Sequence, residues 1–166
     1  MKKRYDIYVD GSFSKSKPNE TFGAVIILVD GTPIMSQRFR ILDPSMVKMR
    51  NVGGELIAAA MSQVIIRNII DKSNKEIPDV CLYYDYEGIK QFAVSGGWKA
   101  EKEGAKKYQT LMLGMKHVAP IFRLYFIKVQ AHTGVKWNEA VDALANGIVQ
   151  DELKSTYGGC TDIEVF

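Results

Sequence analysis

The sequence predicts an α/β protein with a mixed five-stranded sheet, three antiparallel strands followed by two parallel ones, flanked by helices. Two observations support this class. Residues 1–42 contain strand-like alternation interrupted by turn signals, whereas residues 51–152 alternate helical periodicity with short apolar runs. The 166 residues, 46% hydrophobic and 25% charged, suffice for one domain with a real core, and we take 1–166 as a single domain.

The first three strands are predicted by alternation and by one turn. Residues 5–13 alternate apolar and polar side chains, and residues 21–29 are apolar enough for a central strand. Asp30-Gly31 is a strong signal for a two-residue hairpin turn, so residues 32–42 should return antiparallel. The sheet therefore opens as a three-stranded meander.

The remaining elements follow from changes in periodicity. Apolar residues at helical spacing predict a helix over 51–71, for which Asn51 could act as the N-cap. Short apolar runs predict the fourth and fifth strands over 79–85 and 121–130. Three further helices and an irregular tail from residue 155 complete the chain; the helices are predicted over 87–94, 101–116 and 136–152, the last with an apolar stripe of Trp137, Val141, Leu144, Ala145 and Ile148.

Composition excludes several classes of protein. No apolar run approaches the roughly 18–20 residues that a membrane helix needs. The basic N-terminus is followed at once by acidic residues and does not resemble a signal peptide. Cys81 and Cys160 are too few for a disulfide framework and lack metal-site spacing. We therefore expect a cytoplasmic, monomeric protein with no membrane partner, while the net charge of +3 alone does not indicate nucleic acid.

Four carboxylates occupy positions where structure alone does not require them. Asp10 and Asp85 each end an apolar strand. Glu55 and Asp142 lie on helices beside apolar faces that must pack on the sheet. Any one of them has an ordinary explanation as a turn residue, a helix-dipole partner or an ion-pair partner. Together they predict one acidic cluster.

Gathered carboxylates repel one another unless a cation neutralises them. Hard oxygen ligands favour Mg²⁺, with Mn²⁺ also suitable, over zinc. Two such ions about 3.5–4 Å apart would support in-line phosphoryl displacement. The cluster thus predicts two-metal-ion chemistry.

Two polar residues near Asp142 extend this site. His132 precedes the last helix in a Thr-Gly loop, where it could act as an acid, a base or a proton shuttle, or could be an ordinary loop histidine. Asn138 precedes Asp142 by one helical turn and shares its face. It could contact substrate or orient water, or it could be a solvated surface residue.

Four segments in order resemble the motif blocks of type 1 ribonuclease H. They are YVDGS at 8–12, NVGGELIAA at 51–59, LYYD at 82–85 and QAHTGVKWNEAVDALA at 130–145. The resemblance covers nearly the whole chain and implies a ribonuclease H-like fold. It also implies hydrolysis of the RNA strand of RNA–DNA hybrids, leaving 3′-hydroxyl and 5′-phosphate ends.

The resemblance assigns roles by position. Asp10, Glu55, Asp85 and Asp142 match the family's metal-binding carboxylates, and His132 matches the loop histidine that assists catalysis. By the same alignment, Asn51 matches a residue that contacts the hybrid in the minor groove. The further candidates for substrate binding are Gly11, Ser12, Tyr86, Trp98 and Asn138.

The chain also departs from the family pattern. Val52 and Gly53 replace an asparagine and an arginine that many members carry, and Tyr86 replaces a small hydroxyl residue. The region between Asp85 and His132 is shorter than in members with a long basic substrate handle. A reduced handle could be formed by Trp98, Lys99, Lys102, Lys106, Lys107 and Tyr108, which could equally be a solvated helix face with one packed aromatic ring.

Two other functions remain open from the sequence. A metal-dependent DNA nuclease or strand-transfer enzyme would share the fold but usually carries three acidic ligands in a different order. A non-catalytic hybrid-binding module would share it too, but has no need to hold four carboxylates opposite phosphates.

Overall fold

The computed structural model describes residues 2–73, 75–115, 121–130, 134–156, 158 and 162–165. Within these ranges six strands form one sheet: β1 (Arg4–Ser12), β2 (Thr21–Val29), β3 (Thr32–Ile41), β4 (Asp79–Tyr84), β5 (Arg123–Lys128) and β6 (Asp162–Val165). The helices are α1 (Pro44–Val47), α2 (Asn51–Ile69), α3 (Gly88–Gln91), α4 (Glu103–Met115) and α5 (Lys136–Ala145), with a short 3₁₀-helix at Asp151–Leu153.

The sheet has the mixed topology that the sequence predicts. Its strand order is β5-β4-β1-β2-β3-β6, with β1, β2 and β3 antiparallel and with β4 parallel to both β1 and β5. The predicted turn is confirmed: Asp30 and Gly31 have φ values of 48° and 86°, so both central residues are left-handed, as a tight hairpin requires.

The expectation of five strands and an irregular tail is wrong. Strand β6 pairs parallel to β3, with Arg38 opposite Asp162 and Arg40 opposite Glu164. Ion pairs of 3.0 and 3.2 Å join the same two pairs of side chains. Because opposite charges directly across a ladder stabilise the pairing, the tail extends the sheet by one strand.

Alternation along β1 separates the core into two layers. Tyr5, Ile7 and Val9 face the larger layer, which is filled mainly by α2 and α4. Tyr8 faces the opposite layer, where α5 packs on the sheet through Val141 and other buried apolar residues. The sheet thus carries helices on both faces, with α2 on one side of β1 and α5 on the other.

Helix α5 ends earlier than its apolar pattern predicts. Gly147 has a φ of 87°, and its N–H donates to the carbonyl oxygen of Leu144 at 2.9 Å. The N–H of Ile148 donates to the carbonyl oxygen of Ala143 at 2.9 Å, which completes a Schellman motif. The helix therefore stops at Ala145, and the predicted stripe is wrong at Ile148, whose side chain is 61% exposed.

No helix in the described ranges is both long enough and apolar enough to span a membrane. Cys81 is buried as a free thiol, and Cys160 lies outside the described residues.

Candidate active site

The four acidic residues reach the same end of the sheet from four elements. Asp10 lies near the end of β1, and Asp85 follows the last residue of β4, which runs parallel to β1 beside it. Parallel neighbours bring their carboxyl ends to one edge of the sheet. Glu55 arrives from α2 on one face, and Asp142 arrives from α5 on the other.

A cleft of about 140 Å³ opens at this edge. Its lining includes three of the four carboxylates and is formed by Asp10, Gly11, Asn51, Asp85, Asn138, Glu139 and Asp142. Glu139 was missed by the sequence reasoning, although it lies three residues before Asp142, a spacing that places both on neighbouring positions of one helix face. The cleft therefore holds one acidic residue that the motifs do not predict.

Glu55 forms the buried wall of the site. Its side chain is only 4% exposed, and its Oε2 accepts hydrogen bonds from the backbone N–H of Tyr86 at 2.9 Å and of Asp85 at 3.3 Å. Burial raises the pKa of Glu55 to about 7, and the charge of Asp85 adds to the rise while the two N–H groups oppose it.

Asp10 lies between two other carboxyls. Burial and the neighbouring Glu55 raise the pKa of Asp10 to about 8, although the N–H of Gly11 donates to its Oδ1 at 2.8 Å and opposes the rise. A hydrogen bond to the Asp142 carboxyl contributes to the same rise. Without a cation, Asp10 therefore keeps its proton at pH 7, mainly because it is buried and further because Glu55 and Asp142 lie beside it.

Glycines bring α2 against the ends of β1 and β2. A Cβ on Gly11 would overlap the carbonyl oxygen of Asn51 and lie 2.6 Å from the nitrogen of Glu55. A Cβ on Gly54 would overlap the carbonyl oxygen of Phe22, and a Cβ on Gly53 that of Met46. Gly54, together with Gly53, which departs from the family pattern, thus allows the close approach that places Glu55 at the cleft.

The start of α2 differs from the prediction. Asn51 is the first helical residue, and the N-cap is Arg50, which has a φ of 56° and makes no side-chain cap. The hydroxyl of Thr21 donates to the carbonyl oxygen of Arg50 at 2.8 Å and holds this turn against β2. Asn51 is therefore exposed at the rim of the cleft, where it lines the cleft beside Gly11.

The other predicted substrate residues divide into two groups. Asn138 is buried and lines the cleft. Ser12 lies in a neighbouring depression instead, where its hydroxyl donates to Oδ1 of Asn146 at 2.7 Å. Tyr86 touches the site through its N–H, and its ring packs edge-on against Trp98, which is 45% exposed. The structure thus leaves Ser12 and Trp98 outside the cleft itself.

The region of the proposed reduced handle is partly core. Tyr108 is fully buried, and its hydroxyl donates to the carbonyl oxygen of Ile89 at 2.6 Å, so it presents no surface. Lys107 forms an ion pair of 2.8 Å with Asp43. Of the other lysines in this region, Lys99, Lys102 and Lys106 are exposed. His132, the predicted loop histidine, lies outside the described residues.

The donor set suits a hard divalent cation in chemistry and in location. Four carboxylates without a histidine or thiol match Mg²⁺ or Mn²⁺, and the raised pKa values of Asp10 and Glu55 reflect the burial and repulsion that a cation would offset. The side chains are not preassembled: among the described residues, no group of three or more His, Cys, Asp or Glu side chains is already arranged to hold a metal ion.

Comparison with solved structures identifies the fold. The chain has the ribonuclease H-like fold and is similar in structure to type 1 ribonucleases H. LC11-RNase H1, isolated from compost and crystallised with an RNA/DNA hybrid, is similar with a TM-score of 0.65 and 17% identity over 87% of this chain and 95% of that chain.

Two further solved structures share the fold. LC9-RNase H1, described as a type 1 RNase H with the type 2 active-site motif, has a TM-score of 0.60 and 15% identity over 92% of this chain and 76% of that chain. The prototype foamy virus protease-reverse transcriptase has a TM-score of 0.58 and 12% identity over 86% of this chain and 20% of that chain. No family model matches the sequence, and no curated protein matches it.

Proposed function

We propose that this protein is an endoribonuclease that hydrolyses the RNA strand of RNA–DNA hybrids and leaves 3′-hydroxyl and 5′-phosphate ends. The observation that carries the proposal is the meeting of Asp10, Glu55, Asp85 and Asp142 around one end of a ribonuclease H-like sheet. Hybrid binding is supported by the likeness to a protein crystallised with an RNA/DNA hybrid.

The four carboxylates would hold two Mg²⁺ ions, or Mn²⁺ ions, in this cleft. Such ions would supply charge neutralisation and stabilise the developing charge of an in-line phosphoryl displacement. The chain provides the frame for this chemistry. Glu55 is fixed by two backbone N–H groups, whereas exposed Asp85 and partly exposed Asp142 have room to adjust.

Selection of RNA requires recognition of a 2′-hydroxyl beside the cleft. Asn51 and Asn138 both line the cleft, and an amide side chain can donate to and accept from a hydroxyl group. His132 would assist proton transfer or product departure. Exposed Lys99, Lys102 and Lys106 would contact phosphates without sequence preference.

One gel experiment tests the function. Labelled RNA–DNA hybrid, double-stranded RNA and double-stranded DNA are each incubated with the protein in Mg²⁺, Mn²⁺ or EDTA. We expect metal-dependent loss of the RNA strand of the hybrid alone. Cleavage of DNA would instead support the DNA nuclease, and hybrid binding without cleavage would support the non-catalytic module.

Matched variants test the carboxylate assignment. Asp85→Asn should abolish cleavage while hybrid binding persists, because the amide keeps the shape but removes the ligand charge. Asp71→Asn is the control, since Asp71 follows the end of α2 and bonds to Ser73 rather than to any residue of the cleft. Substantial Mg²⁺-dependent activity of Asp85→Asn would contradict the assignment.

A further inference from the structure

Tyr86 connects the buried wall of the cleft to an exposed aromatic ring. Its backbone N–H donates to Glu55 at 2.9 Å, while its side chain points away into an aromatic cluster. Within this cluster the ring centroids of Tyr86 and Trp98 lie 6.4 Å apart at 66°, and those of Phe92 and Trp98 lie 5.5 Å apart at 76°. Both contacts are edge-to-face, the geometry that aromatic pairs prefer.

The backbone of Trp98 is already fixed without Tyr86. The N–H of Trp98 donates to the carbonyl oxygen of Gln91 at 2.8 Å. The side-chain amide of Gln109, on α4, donates to the carbonyl oxygens of Trp98 and Phe92 at 3.1 Å each. These bonds do not determine the orientation of the Trp98 ring, which is in edge-to-face contact with the rings of Tyr86 and Phe92.

Gly88 leaves the space that the Tyr86 ring fills. A Cβ at Gly88 would overlap the edge of that ring, lying 2.6 Å from Cζ of Tyr86 and 2.8 Å from Cε2 of Phe92. Gly88 begins α3 and is buried, so the backbone cannot easily move aside. The absence of a side chain at Gly88 therefore permits the ring of Tyr86 to stand against Trp98.

We propose that Tyr86 is a positioning residue whose ring sets the orientation of Trp98 for the nucleic acid while its backbone orients Glu55. The role rests on the proposed function, because Trp98 is expected to meet a strand of the hybrid. The ring carries the effect and the hydroxyl does not. Tyr86 thus fixes the position of Trp98 relative to the cleft.

The first test reads the orientation of Trp98 in the free protein. Trp98 and Trp137 are the two tryptophans of the chain, so Trp137→Phe leaves Trp98 as the single emitter. In that background we expect Tyr86→Ser to shift the Trp98 emission to the red and to increase its quenching by acrylamide. Tyr86→Phe should match the parent, because it keeps the ring.

The second test measures hybrid binding and turnover. In an Asp10→Asn background, which keeps the RNA strand intact, Tyr86→Ser should weaken hybrid binding about tenfold, the loss expected when one aromatic contact is misplaced. In the otherwise native chain KM should rise while kcat changes little, since the substitution keeps the backbone N–H that donates to Glu55. Tyr86→Phe should restore both.

A double-mutant cycle tests whether Gly88 acts through the ring. In the same Asp10→Asn background, Gly88→Ala should weaken hybrid binding, and most of that loss should vanish when Tyr86→Ser is already present. Additive losses would overturn the proposed route through Tyr86. Circular dichroism melts of each variant distinguish loss of folding from a misplaced Trp98 ring. If Tyr86→Ser alone has a lower Tm, the cycle still shows whether the effect of Gly88→Ala depends on the ring of Tyr86.

Unchanged Trp98 emission and hybrid affinity in Tyr86→Ser would overturn the proposal, and so would a Tyr86→Phe variant as impaired as Tyr86→Ser. Failure of the proposed function looks different: the native chain would not cleave the hybrid at all. In that case the emission of Trp98 still shows whether the ring of Tyr86 orients it.

Discussion

Replacing Asp10 by asparagine should stabilise the protein when divalent metal is removed. The pKa of Asp10 is about 8 in the folded chain because of burial and of Glu55, against about 3.9 for an unfolded aspartate. An acid whose pKa is raised by folding favours the folded state at low pH, and that advantage is lost as pH rises from about 4 to about 8. Asparagine does not ionise, so the variant escapes this loss.

The size of the effect follows from the pKa difference. A pH of 7 lies about three pH units above the unfolded pKa, which at ~1.4 kcal/mol per pH unit gives an upper limit of about 4 kcal/mol. For a chain of this length, each kcal/mol raises Tm by roughly 2–4 °C. The N–H of Gly11 still has an oxygen to bond in Asp10→Asn, so little should be lost in exchange.

Thermal unfolding at pH 5 and pH 7 in EDTA measures the Tm difference between Asp10→Asn and the parent. Asp71→Asn is the control, because loss of this exposed carboxyl should change Tm little. We expect Asp10→Asn to melt higher than the parent, by more at pH 7 than at pH 5. Added Mg²⁺ should stabilise the parent more than the variant, because ligand binding to the folded state raises Tm. A Tm at or below that of the parent in EDTA at pH 7 would show that ionised Asp10 does not destabilise the folded chain.

Three further outcomes are expected. Gly54→Ala should lower the free energy of unfolding by about 1–3 kcal/mol and reduce activity, because the new Cβ would overlap the carbonyl oxygen of Phe22. Gly114→Ala is the control, since a Cβ there meets open space on α4. Equal Tm values for the two variants would contradict the close packing at Gly54. Lys107→Met should lower Tm above pH 4 but not well below it. Burial opposes a lowered pKa for Asp43, but the bonds from Lys107 and Ser45 outweigh it and lower that pKa. Stabilisation from a lowered pKa is lost as pH falls through the folded pKa, so a Tm difference that persists at pH 2 would count against this ion pair. His132→Ala should slow turnover without abolishing it in a cleavage assay, whereas complete loss would indicate a structural role.

Local signals predicted most of the sheet. The bounds of β2 match the predicted range of 21–29, and the Asp30-Gly31 turn lies where its residue types place it, because alternation and left-handed turn residues are local properties. The end of α5 was predictable too. Asn146-Gly147 is a common helix C-terminal pair, but the apolar Ile148 beyond it extended the predicted helix.

Non-local pairing accounts for the features that were missed. Strand β6 is four residues long, and its partner β3 lies more than a hundred residues earlier in the chain, so no local pattern reveals it. Helix α1 is different, because Asp43-Pro44 is a recognisable N-cap and first-turn pair that went unused. Residue types could not show that Tyr108 faces the core.

For the candidate site, the sequence indicated which residues would be involved but not how their side chains would be arranged. The strand ends and helix faces of Asp10, Asp85 and Asp142 are readable from periodicity, and all three line the cleft. Ser12 is adjacent to Gly11 in the motif, but its side chain points to Asn146 instead. Side-chain direction at a strand end depends on neighbours from distant segments, which periodicity does not specify.

The two edges of the sheet bear on self-association. Both edge strands are short, with six residues in β5 and four in β6. Acidic Asp162 and Glu164 occupy one edge, while Arg123 and Lys128 occupy the ends of the other. Short edge strands with charged side chains are a common defence against edge-to-edge aggregation. Strand β6 therefore covers β3 with a short, charged edge strand that disfavours strand pairing with a second molecule.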